Sequence, residues 1–193
     1  RRVVFTDHRV RQEDWRRMYV APAYEGAAPG PYALNVLAEI MGGETGRLHN
    51  ALVEKQKIAL GVSFWYDGSG RDFGSAGLYG RPVPGIATAD MEAAFDAEIA
   101  SLLKDGVTET EVTDAKRLLA ASAIFARDSL DGPARILGGA VANGQRIEDV
   151  EDWPERIAAV DKAAIDTAAR ALFNINWSVT GILRPAPKDE APS

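Results

Sequence analysis

The chain has only two histidines, His8 and His49, and they stand far apart in the sequence. A catalytic zinc takes three protein ligands, usually two of them at helical spacing. Neither His-x-x-Glu-His nor His-Glu-x-x-His occurs. Both histidines therefore read as structural or exposed. A site folded together from His49 and a carboxylate such as Glu54 is the metal alternative. With no cysteine, the chain has no thiolate zinc site, iron–sulfur centre, disulfide or cysteine nucleophile. Serine chemistry finds no support either, because no Gly-x-Ser-x-Gly elbow is present. Gly68-Ser69-Gly70 has the wrong framing and reads as a hairpin turn. A Ser-His-Asp triad would need His8 or His49, and neither has a recognisable partner.

Phosphate binding is equally poorly supplied. Gly42-Gly43-Glu44-Thr45-Gly46 precedes a helix, whose free amides could hold an anion. Glu44 repels anions there, and no Gly-Lys-Ser/Thr follows. The segment reads as a helix–helix turn. Glu148, Asp149, Glu151 and Asp152 cluster ahead of Trp153 and read as a solvated acidic face. Asp128 and Asp131 flank a helix break and read as caps. The residues thus assign no catalytic group, no cofactor-binding residue and no metal ligand to this chain.

Composition narrows the remaining classes. The chain has 193 residues, 46% of them hydrophobic, and a formal net charge of −6. One domain of this size buries roughly 70% of its unfolded surface, enough for a core without staples. No basic stripe exceeds Arg1-Arg2 and Arg16-Arg17, which argues against nucleic-acid binding. No apolar run approaches the ~20 residues of a membrane span. The opening Arg1-Arg2-Val3-Val4 lacks a methionine, so a processed product or an excised fragment is expected. Abundant Ala, and Arg in excess of Lys, point to a bacterial source. The compartment stays open between exported or periplasmic and cytoplasmic.

The elements that would position these residues follow from periodicity. Val10 to Ala21 reads as a strand ending at Pro22, followed by a Gly/Ala/Pro-rich loop from 22 to 30. Leu34, Leu37 and Met41 share one helical face, with Val36 and Ile40 beside them, and Gly42-Gly43 stops the helix. A second helix is expected from Thr45 to Gln56. Ile58, Leu60, Val62, Phe64 and Tyr66 then alternate with smaller or outward residues, which predicts a strand. Asp67 to Gly70 turns the chain, and Phe73 to Gly80 returns it as a hairpin. Met91, Ala94, Phe95, Ile99, Leu102 and Leu103 form an amphipathic stripe closed by Gly106. Thr108 and Glu111 form a capping box for the next helix. Further helices are expected from Gly132 to Ala142, after Trp153-Pro154, and from Asp161 to about Leu172. Trp177 to Leu183 is a final strand.

This order cannot be joined by βαβ crossovers alone, so the fold expected is two-layer α+β. Its sheet should be mostly antiparallel, with helices packed on one face. Residues 1–9 read as a leader or linker, 10–184 as a single α+β domain, and 185–193 as a disordered tail.

Several stretches together carry a resemblance. They are Leu34-x-Val36-Leu37-x-x-Ile40-Met41-Gly42-Gly43, Gly46-Arg47-Leu48-His49-x-x-Leu52-Val53-Glu54, Lys57-Ile58-Ala59 and Gly106-Val107-Thr108-x-x-Glu111-Val112 to Lys116. Arg127-Asp128-Ser129-Leu130 and Ser178-Val179-Thr180-Gly181 add to them. Over roughly 10–183 the chain resembles the second domain of the pitrilysin/insulinase family of zinc metallopeptidases, of the processing-peptidase-like bacterial type. The resemblance implies an α+β domain without zinc ligands. Its parent would be a zinc metalloendopeptidase whose inverted zinc motif lies in a preceding homologous domain. This chain alone would be inactive, with no cofactor of its own. It would pack on that N-terminal zinc-bearing domain and help wall a chamber for peptide substrates.

Members that complete the active site from the non-zinc half carry an Arg and, seven residues later, a Tyr. The matching positions here are Val53 and Leu60, whose side chains cannot hydrogen-bond a substrate. A second family subunit would then supply that pair, or a homodimer would form. Two alternatives stay open: a domain of a catalytically dead structural subunit of the same family, and an independent α+β binding or dimerisation module. An exposed apolar face is expected where the missing domain docks, with Trp65, Trp153 and Trp15 as candidates for it. Self-association of the isolated chain is the corollary.

Overall fold

The computed structural model describes residues 1–24, 29–128 and 132–186. Five strands form one sheet: β1 Arg2–Asp7, β2 Asp14–Pro22, β3 Ala59–Asp67, β4 Phe73–Pro82 and β5 Ser178–Pro185. Their order across the sheet is β1-β5-β2-β4-β3. The pairs β2/β4, β3/β4 and β2/β5 are antiparallel, and only β1/β5 is parallel. The helices are α1 Pro29–Gly42, α2 Thr88–Asp105, α3 Glu109–Asp128, α4 Gly132–Ala142, α5 Ile147–Glu151, α6 Trp153–Ala159 and α7 Lys162–Leu172. Helices α1, α2 and α7 lie on one face of the sheet, and α3 and α6 pack on α1. This is the mostly antiparallel, one-sided α+β architecture that the periodicity predicts. No helix among the described residues is long and apolar enough to cross a membrane.

The core lies between the sheet and the helices. Along β2, Trp15, Arg17, Tyr19 and Ala21 are buried while Arg16, Met18, Val20 and Pro22 are exposed. Period-2 alternation puts the first set under the helices. Trp15 stacks on Phe95 of α2, with ring centroids 4.8 Å apart. Tyr19 and Phe64 both meet the Phe173 ring, at 5.6 and 5.4 Å. From the helices, Leu34, Leu37 and Met41 (α1), Met91 and Leu102 (α2) and Ile165 (α7) complete the interior.

Four expectations need correction. The segment 1–9 is not a bare leader: Arg2–Asp7 runs in register with Thr180–Pro185 as a sheet edge. It is exposed along nearly its whole length, so no alternation marks it in the sequence. The helix expected at 45–56 is wound as a π-helix from His49 to Lys55. There Gln56 N–H reaches Ala51 O at 2.9 Å, an i−5 bond. The alternation assigned to Ile58–Tyr66 is broken by a β-bulge between Ala59 and Gly61. The bulge turns Leu60 outward, 54% exposed, while Val62, Phe64 and Tyr66 keep the core face. Finally, the acidic run after Arg146 forms the short helix α5. The cap assigned to Asp131 and the tail beyond residue 186 lie outside the described residues. So do part of the 22–30 loop and the motif residues Ser129 and Leu130.

Candidate functional site

The motif residues from two distant stretches meet at one junction. Arg47, just before the π-helix, forks onto Glu111 in the first turn of α3, with Nη2 donating to Oε2 at 2.7 Å. The same Nη2 donates to Gly106 O at 2.9 Å. Thr108 N–H donates to Glu111 Oε2 at 2.7 Å, and Glu111 N–H donates back to Thr108 Oγ1 at 3.2 Å. The capping box expected from sequence is therefore formed and is locked by a guanidinium. Partial burial alone would raise the Glu111 carboxyl. Arg47 and the Thr108 donors outweigh it and hold the group down to about 2.

The glycines of the junction are dictated by space and backbone angle. A Cβ on Gly42 would stand 2.1 Å from Phe64 O, so only glycine lets α1 end against β3. Gly106 has φ +74°, a left-handed value that favours glycine. Its neighbour Val107 donates N–H to Asp166 Oδ1 at 3.0 Å, which ties this corner to α7. The motif residues from Gly42 to Arg47 and from Gly106 to Glu111 thus act as clamps between elements.

His49 and Glu54 do come together, with Nε2 to Oε1 at 3.3 Å across the π-helix. His8 is exposed, its Nδ1 3.9 Å from Asp7. Among the described residues, no group of three or more His, Cys, Asp or Glu side chains could hold a metal ion. Ser69 is engaged by Asp67, which accepts its N–H at 2.9 Å, and sits in the β3–β4 turn. Gly42–Gly46 is a turn, in which Gly46 N–H reaches Gly43 O at 2.8 Å.

Asp149 is not part of a solvated acidic face. It accepts from Arg146 at 2.9 Å and from Arg156 at 2.8 Å. The Arg146 and Arg156 bonds hold its carboxyl well below the usual range. Arg156 in turn donates to Tyr32 Oη at 2.7 Å, so the cluster ties α5 and α6 to α1. Val53 packs against the core, and Leu60 sits on the bulge at the outer edge of β3.

What the helices leave uncovered is the second face of the sheet. A row runs across it in register: Trp65 opposite Gly77, Gly77 opposite Met18, Met18 opposite Val179. A Cβ on Gly77 would lie 2.7 Å from the Trp65 ring, so the indole lies flat on that glycine. Val20 (60% exposed), Phe73 (71%) and Val179 (46%) extend the patch, and Trp177 (72%) borders it at the start of β5. Tyr79 sits between Arg16 and Arg81, 5.4 and 6.0 Å from their guanidinium carbons. Of the tryptophans expected on an exposed face, Trp65 is there, Trp15 is fully buried and Trp153 is half-buried against the core. Met18, Val20, Phe73 and Val179 were not anticipated. The signal that could have found them is the presence of apolar residues on both alternating sets of β2.

Residues 6–119 match the family model described as the peptidase M16 inactive domain. No curated protein matches the sequence. Among solved structures, a protease from Helicobacter pylori superposes with a TM-score of 0.86 at 19% identity, over 95% of this chain and 44% of that one. A peptidase M16 inactive domain from Pseudomonas fluorescens gives 0.74 at 18% identity, over 96% and 43%. The inactive peptidase domain of a Bordetella parapertussis protein gives 0.80 at 21% identity, over 92% and 94%. At these identities the likeness is one of fold. The chain spans less than half of the first and second of these structures and nearly all of the third.

Proposed function

The chain belongs to the peptidase M16 family as its inactive domain, and from that premise we propose that it works as a supporting half. It packs on a zinc-bearing homologous domain of the same protein and walls the chamber that admits peptide substrate. The metal, which polarises the scissile carbonyl and activates water, would belong wholly to that other domain. One observation carries the reading: the helix-free sheet face around Met18, Val20, Phe73 and Val179 is broad, apolar and exposed. Apolar patches of this kind mark interaction surfaces. Val53 and Leu60, in place of groups able to hydrogen-bond a substrate, support a role in enclosure and leave the Arg/Tyr function to a second subunit.

The test is co-expression of this chain with the domain encoded ahead of it. The two should co-purify and together cleave unfolded peptides in a zinc-dependent manner, while this chain alone binds no stoichiometric zinc and cleaves nothing. Met18→Asp with Val20→Asp should separate the halves and leave the far-ultraviolet circular dichroism of the chain unchanged. Stoichiometric zinc on the isolated chain, or a complex indifferent to those two charges, overturns the reading.

A further inference from the structure

The two edges of the sheet are built differently. The β3 edge carries the Leu60 bulge, which kinks a strand and discourages pairing with another chain. Edge strand β1, Arg-Val-Val-Phe-Thr-Asp, has no lysine, no proline and no register shift. Both of its faces are exposed: Val4 is 49% exposed on the helix side and Phe5 60% on the open side.

Its backbone orientation can be read from the bonds at its ends. Arg1 N donates to Ser178 O and Thr180 N donates to Arg1 O, both at 2.8 Å. Ala186 N donates to Asp7 O at 3.2 Å. The odd-numbered residues therefore bond to β5. Alternation in a parallel ladder turns the N–H and C=O groups of Arg2, Val4 and Thr6 toward the free edge.

We propose that β1 is the contact between two copies of this chain, paired antiparallel about a two-fold axis at Val4, so that two sheets become one. A two-fold axis perpendicular to a sheet requires residues of like parity to face each other, since only those share a side. With Val4 opposite Val4 of the second copy, Arg2 meets Thr6, and every outward backbone group of the strand finds its partner. On the open side Val3 meets Phe5 of the second copy, an aromatic on a β-branched residue. At the ends Arg1 stands opposite Asp7 of the second copy, whose carboxylate already accepts from Arg9 of its own chain at 3.0 and 2.8 Å, so the termini neither add to nor oppose this register. Shifting the register by two residues either way leaves outward groups unpaired. Residue shape and hydrogen-bond parity thus select the same register. This contact uses neither the zinc-bearing domain nor the open sheet face at Met18 and Val20, so it stands or falls separately from the function proposed above.

Sedimentation equilibrium of the chain should give a reversible dimer. Val4→Pro removes only an outward N–H and places proline where an edge strand tolerates it. It should weaken the dimer about ten- to a hundredfold, with far-ultraviolet circular dichroism unchanged. Because the chain has no cysteine, Val4→Cys supplies a single thiol. Facing Cα atoms in a bonded antiparallel pair lie about 5.5 Å apart. A short bifunctional maleimide should then capture Val4→Cys as a covalent dimer far faster than Val20→Cys or Leu60→Cys. A wild-type chain that stays monomeric at its highest soluble concentration overturns the proposal. So does a dimer that Val4→Pro leaves intact, or one captured equally well through Val20→Cys or Leu60→Cys.

Discussion

Arg47 and Glu111 are 64 residues apart in the chain and form a bidentate pair at the end of the α2–α3 connection. The pair closes three elements on one another: the entry to the π-helix, the Gly106 corner and the first turn of α3. Glu111 is the point where they converge, because it also completes the Thr108 capping box.

Glu111→Gln should therefore destabilise the chain at neutral pH by about 1–3 kcal/mol, the scale of a charged hydrogen bond lost at a part-buried site. The pH dependence follows from the depressed carboxyl. In the unfolded chain the group titrates near 4.5, and in the folded one near 2. Its contribution is complete above about pH 4.5 and is lost as pH falls through about 2. Urea unfolding at pH 7 and at pH 3 should show the gap between wild type and Glu111→Gln shrinking in acid. An equal gap at both values would remove Glu111 from the acid limb of stability.

Gly42→Ala tests the close approach of α1 to β3. The added methyl would meet Phe64 O at 2.1 Å, and backbone cannot step aside as a side chain does. A loss of about 1–3 kcal/mol is expected, the usual cost of overpacking. Gly30→Ala has no described atom within 4 Å of the new methyl and should cost nothing, gaining up to about 1 kcal/mol at the start of α1. Thermal melts of the two variants side by side separate crowding from a general glycine effect.

Much of this architecture was legible because burial imposes a period. Met91, Phe95, Ile99 and Leu102 of α2 repeat at helical spacing, and each is buried in the core. Strand β1 escaped because an edge exposed on both faces has no period to show. The π-helix escaped because Leu48, Leu52 and Val53 fit either winding. The bulge at Leu60 escaped because the apolar alternation runs on through it. At the candidate site, the scarcity of histidine and the lack of cysteine were already plain in the composition. The partnership of Arg47 with Glu111 was not, since nothing local to either residue names a carboxylate 64 positions away. The open sheet face escaped for a similar reason. Whether Met18 and Val20 are covered depends on where the helices pack, and that is decided by the whole chain.

Lys57 is the one non-glycine residue with positive φ among the described residues, at +54°. It joins the π-helix to β3 and is exposed, so little burial offsets the strain. Left-handed backbone costs an L-residue about 1–2 kcal/mol, and glycine adds back up to about 1 kcal/mol of unfolded-state entropy. Lys57→Gly should raise stability by up to about 1 kcal/mol. A fall in melting temperature would mean that the lysine side chain makes a favourable interaction at that turn.

Arg17 is the buried charge on which the sheet and α2 depend. It is 3% exposed on β2 and donates to Thr180 Oγ1 at 3.2 Å and to Glu92 Oε1 at 2.8 Å, with Asp96 as a further partner. Glu92 is shared with Arg2 of β1 at 2.7 Å, so one carboxylate joins two strands to the helix. Burial opposes ionisation of Glu92, and the two guanidinium groups overcome it and hold the carboxyl below its ordinary value. Arg17→Ala strands Glu92 with only its solvent-side partner and opens space beside Trp15, over whose ring the guanidinium lies at 5.1 Å. Removing one partner of a buried pair costs about 3–5 kcal/mol. Arg2→Ala, which takes away the half-exposed partner alone, should cost less than about 1 kcal/mol. Arg17→Met keeps most of the volume without the charge, so it should recover the packing share of the loss and leave the electrostatic share. Denaturant midpoints for the three variants divide the two contributions. If Arg17→Met is as stable as wild type, the guanidinium is retained for a reason other than stability.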